Sequence, residues 1–115
     1  MKELKFRAWD GKKMIDDVVP ASETSIIEIF EYEWQETEVE AVEQYTGLKD
    51  KNGNEIYVGD ILLDDIGEPC EPWTVKFDDG KFIGEIQGVV EDLFELTDLE
   101  IIGNIHENAE LLGDK

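Results

Sequence analysis

The chain reads as a mainly β protein: a small antiparallel sheet closing into an SH3-like or partly open barrel, with a short C-terminal helix. Three observations predict this. Turn-forming residues recur between short extended runs, at Thr46-Gly47, Lys51-Asn52-Gly53-Asn54, Val58-Gly59-Asp60 and Asp78-Asp79-Gly80. The runs themselves are rich in β-branched and aromatic residues, which suit a pleated, half-buried surface. Apolar residues make up 41% of the 115 positions, with Trp9, Trp34 and Trp73 widely spread, so one domain spanning 1–115 can draw its core from every region. Closure into a barrel would remove the unpaired edges that such short strands otherwise expose.

Taken in order, Leu4-Lys5-Phe6-Arg7-Ala8-Trp9 alternates strictly, with Leu4, Phe6 and Ala8 on one face and Lys5, Arg7 and Trp9 on the other. Asp10-Gly11 turns the chain and Lys13-Met14-Ile15 returns it as a hairpin. Lys5 and Arg7, basic in an acidic chain, are expected to meet carboxylates as exposed pairs. Pro20 marks a connection, because it cannot donate to a central ladder. Ile26 to Trp34 carries both helical and strand spacing, and its β-branched and aromatic content favours the strand. Gln35 to Glu38 is expected to turn it into a second strand, Val39 to Thr46.

Gln44 to Leu62 is the stretch in which most positions have a structural role. Gly47, Asn52, Gly53 and Gly59 are assigned to turns, with Asn52 and Gly53 expected at positive φ in a type I′ hairpin. Asp64 to Pro72, with two prolines and four carboxylates, reads as an exposed loop. Asp79 and Gly80 turn a third hairpin between Trp73–Phe77 and Lys81–Ile86. Val89 to Leu96 spaces its apolar residues as two helical turns. Leu99 to Ile105 reads as a buried strand, and Asn108 as the cap of a terminal helix through Leu112.

Charge narrows the partner classes. Thirty acidic residues against ten basic give a net charge of −20. Met14 to Leu48 holds ten carboxylates and no Lys or Arg, and Phe82 to Asp114 holds nine and none. Such a field repels phosphate backbones and anionic lipid, so direct nucleic-acid or membrane binding is not expected, and a protein partner is expected to be basic. A homo-oligomer stays open. No apolar run approaches the roughly 20 residues that span a bilayer, and Met1 to Lys5 carries no apolar signal segment, so a cytoplasmic location is expected.

Chemical motifs are sparse. The single cysteine, Cys70, excludes an internal disulfide and sits in an acidic loop that would raise a thiol pKa. The single histidine, His106, cannot build a structural zinc site with Cys70 unless two carboxylates join them. Aligning a calcium loop on Gly53 places Leu48 and Gly59 at ligand positions, which fails. Asp64, Asp65, Asp78 and Asp79 are the one carboxylate set open to a Mg²⁺-dependent reading, and its discriminator is whether the four converge. The three tryptophans are read as core in preference to a binding face. No catalytic, metal-binding or cofactor-binding residue is assigned.

The run QYTGLKDKNGNEIYVGDIL, with KFRAWD near the start and LEIIGNIHENAELL near the end, resembles the YopX family of phage and prophage proteins. The resemblance implies a small, largely β protein of phage or prophage origin in a bacterial cell, and brings no catalytic residues with it. The expected function is therefore a non-enzymatic accessory protein that binds another protein. Two alternatives remain: a metal-dependent enzyme on the clustered carboxylates, and an acidic mimic of nucleic acid that occupies a basic host protein. For the mimic, Glu31, Glu33, Glu36, Glu38 and Glu40 form the candidate surface, since alternate residues of a strand repeat at roughly 6–7 Å, near the spacing of phosphates.

Overall fold

A computed structural model describes residues 5–20, 26–30, 34–63 and 72–112. The fold is mostly strand, arranged in antiparallel sheets of which one is a curled half-barrel, and among the described residues there is no long helix. The chain divides into two compact units, residues 1–45 and 46–115.

In the first unit, β1 (Phe6–Trp9) and β2 (Met14–Asp16) form the expected N-terminal hairpin. Its turn is held by Asp10, whose Oδ1 accepts the Lys12 and Lys13 N–H groups at 2.8 Å each. After β3 (Val19–Pro20), strands β4 (Ile26–Phe30) and β5 (Trp34–Glu38) pair from Ile26↔Glu38 to Phe30↔Trp34. This corrects the sequence expectation: Gln35 to Glu38 is strand, not turn. The ladder partners of β4 outweigh the low strand propensity of two glutamates. β6 (Ala41–Lys49) pairs its first residues with β1, from Phe6↔Gln44 to Trp9↔Ala41. Ala8, Val18, Ile27 and Val39 form the buried core of this unit.

Arg7 departs from its expected exposed setting. Ala8 and Arg7 are both buried, so both faces of β1 are covered. The Arg7 Nε donates to Glu43 Oε1 at 2.9 Å, directly across the ladder. A buried pair of this kind is costly to break from one side, because it strands the other charge away from water. Lys5 lies over the Tyr45 ring, its Nζ 5.6 Å from the centroid.

The second unit continues from Thr46 through β7 (Glu55–Tyr57), β8 (Asp60–Leu63), β9 (Pro72–Asp78), β10 (Lys81–Ile86), β11 (Val89–Asp92) and β12 (Glu100–Asn104). Five of these make a sheet in the order β11-β10-β9-β8-β12. Ile56, Leu62, Val75, Leu93, Leu96 and Leu99 are its buried core, with Trp73 and Phe82 against them. Gly84 belongs to that packing: a Cβ there would collide with Leu96 Cδ1.

Three turns of this unit decide its register. Asp79 and Gly80, with φ of 53° and 82°, make the expected two-residue loop between Asp78 and Lys81. Gln87 and Gly88, with φ of 49° and 87°, make a second one between Ile86 and Val89. Two successive positive φ values match the right-handed twist of the flanking strands. The chain therefore returns as β11, and the helix expected over Val89–Leu96 shrinks to a 3-10 turn at Leu93–Leu96. The C-terminal helix is likewise a 3-10 turn, Ala109–Leu112. At the central turn, Gly53 N–H donates to Asp50 O at 3.0 Å. Gly53 takes φ of 86°, while Lys51 and Asn52 are not at positive φ. The loop is thus an ordinary turn followed by a left-handed glycine, not the expected type I′ turn.

Asp50 explains that difference. Its Oδ1 accepts the Asn52 and Asn54 N–H groups at 2.9 and 2.8 Å, and its Oδ2 accepts Ile101 N–H at 3.0 Å. Burial pushes the Asp50 carboxyl up, but the N–H donors of Ile101, Asn54 and Asn52 outweigh it, leaving the group below its ordinary range. Lys51 N–H donates to Leu99 O at 3.0 Å beside it.

Two outcomes follow from this geometry. Because the folded pKa of Asp50 is depressed, the stability it supplies is complete above the unfolded carboxylate value of about 4 and is lost as pH falls through the lower folded value. The gap in denaturant midpoint between the wild type and Asp50→Asn should be widest at neutral pH and narrow below that point; a gap independent of pH would refute the assignment. Nothing lies within 4 Å of a Cβ built at Gly53, so Gly53→Val tests the backbone alone. It should cost on the order of 1–3 kcal/mol in chemical denaturation.

Candidate interaction surface

The turn residues singled out in the sequence are structural. Gly53, Gly59, Asp79 and Gly80 take positive φ in turns and Asn52 does not, whereas Gly47, expected at a turn, lies inside β6 with φ of 88°, where a glycine lets the strand bend without ending. Trp9 is buried and Trp73 packs on the core of the second unit, so these two rings serve the interior.

Of the acidic candidates, Glu31 and Glu33 lie outside the described residues, and Glu36 is placed only by its backbone in β5. Glu38 and Glu40 are exposed. Together with Asp10 and Val39 they line an open concavity of about 350 Å³. The Lys13 and Lys12 N–H groups hold the Asp10 carboxyl below its ordinary range, so it stays ionised there. Other exposed carboxylates include Asp16 and Asp17 in the first unit and Asp78, Asp79, Glu91, Asp92, Glu95 and Asp98 in the second. This spread over many elements is what a solubilising field gives.

Asp78 and Asp79 sit at an exposed hairpin tip, while Asp64, Asp65 and Cys70 lie outside the described residues. Among the described residues, no three His, Cys, Asp or Glu side chains group so as to hold a metal. His106 follows β12, where its backbone N–H donates to Asn104 Oδ1 at 3.0 Å.

The feature that sequence reasoning missed is β11. It ends the five-stranded order, and its Val89 and Val90 are 54% and 52% exposed, with Phe94 just beyond at 72%. Unpaired apolar strand edges are uncommon on folded proteins, because they invite another chain. The register sets Val89 opposite Ile86 and Val90 opposite Glu85. Charge on the neighbouring strands is partly paired: Lys81 Nζ lies 2.8 Å from Asp92 Oδ1, and Lys76 pairs with Glu85. The hydrogen bond and charge of Asp92 raise Lys81 above its ordinary pKa. The available signal for β11 was Gln87-Gly88, a two-residue loop with glycine second, flanked by β-branched residues on both sides.

Comparison with known proteins agrees with this architecture. The chain is similar to the crystal structure of an Enterococcus faecalis protein, with TM-score 0.69 and 30% identity over 97% of this chain and 99% of that one. It also resembles the crystal structure of protein yopX from Bacillus subtilis, with TM-score 0.61 and 22% identity over 100% and 99% of the two chains. No curated protein matches it. No helix among the described residues is long and apolar enough to cross a membrane. The model of the YopX protein family matches residues 5–113, nearly the whole chain, and the chain belongs to that family.

Proposed function

We propose that this chain is a non-enzymatic phage or prophage accessory protein that binds a basic protein partner in the cytoplasm of the bacterial cell. One observation carries the reading: the sheet of the second unit ends in β11, with Val89, Val90 and the adjacent Phe94 exposed. Exposed apolar side chains at an unpaired edge lower solubility unless a partner covers them, and such sites mark interaction surfaces. The net charge of −20 keeps the free protein apart from its own copies and selects a partner of opposite sign.

The test is capture from host lysate on the immobilised chain, followed by calorimetry with the purified captured protein. A saturable complex whose affinity falls as salt rises is expected, since the attraction between opposite fields is screened. Failure of every purified candidate to bind saturably, or an affinity indifferent to salt, would contradict the reading.

A further inference from the structure

We propose that the Val89–Asp92 edge accepts an added β-strand from a basic segment of the partner, an inference that rests on the protein-binding function above. Strand alternation puts Val89 and Glu91 on one face of the sheet and Val90 and Asp92 on the other. Both valines are half-exposed. A partner lying on either face would cover one of them, whereas a strand laid along the edge covers both. The edge also supplies the backbone groups. The Gln87-Gly88 loop is closed by the Ile86↔Val89 pair, and antiparallel alternation then turns the N–H and C=O of Val90 and Asp92 away from β10. Among the described residues no other strand takes them.

Charge selects the occupant. Glu91 and Glu95 have no ion pair among the described residues, and Asp92 shares Lys81. A second copy would bring another net charge of −20 to this edge. A strand carrying Lys or Arg at alternate positions sets its basic face beside Glu91, where the Lys or Arg stems also cover Val89, and its apolar residues on the other face meet Val90.

The probe is a short synthetic peptide of alternating Lys and Val, with a Glu-Val peptide as control, titrated into the full chain by calorimetry and followed by amide hydrogen exchange. The Lys-Val peptide should bind saturably and slow exchange at Val90 and Asp92, and the control should not. Val90→Pro removes an outward N–H at an edge position where proline is tolerated, and should weaken binding at least about tenfold. Glu91→Lys leaves the backbone intact and should weaken the Lys-Val peptide while admitting the Glu-Val peptide, which decides the question should Val90→Pro fail to fold. No binding of either peptide, equal affinity for the wild type and both variants, or protection confined to other strands would overturn the proposal. A captured natural partner that binds both variants undiminished would leave the protein-binding function standing and remove the edge from it.

Discussion

The second unit depends on one buried carboxylate. Asp50 gathers three backbone N–H groups, two from its own loop and one from Ile101, more than forty residues further along the chain. Asn52 and Asn54 are exposed and could turn to water instead, but the half-buried Ile101 N–H would be left short of a partner, at a cost of up to about 1–3 kcal/mol. By holding the loop that precedes β7 to the start of β12, the carboxylate ties a local turn to a strand that pairs with β8. The lowered pKa of Asp50 is the electrostatic side of the same arrangement: burial opposes the charge and the N–H dipoles prevail.

Turn chemistry was the most legible part of the sequence, because positive φ is a demand that few residues satisfy. Gly53, Gly59 and Gly80 take positive φ at turns, as their neighbours imply, whereas Gly47 takes it within β6. The less legible elements are those decided by partners distant in sequence. Val89 to Leu96 carries apolar spacing suited to a helix, yet β10 lies ready as a ladder partner across a two-residue turn, and local periodicity cannot register that. Gln35 to Glu38 is polar enough for a turn, but β4 draws it into a strand. Asp50 carries no local mark of its importance beyond its place before a turn. Its real role, an acceptor for Ile101, follows from long-range closure that no local pattern encodes.

The candidate site shows the same division. Composition pointed to an acidic surface, and Glu38 and Glu40 are indeed exposed, but exposed carboxylates occur on many elements of both units. The edge strand became visible only once the order of the sheet was known. In the function proposed here, acid and edge act together: the field would discourage self-association at an edge whose valines would otherwise promote it, and would leave that edge open to a strand of opposite charge.

Native-state hydrogen exchange at the Ile101 amide is the most direct test of the organising role given to Asp50. In the wild type this amide should exchange only through global unfolding of the second unit, with the same free energy as its slowest core amides, Val75 and Leu62 among them. In Asp50→Asn it should exchange through a smaller local opening while those core amides keep their common value, reduced together. Fast exchange of Ile101 in the wild type, or protection unchanged by the substitution, would contradict the account.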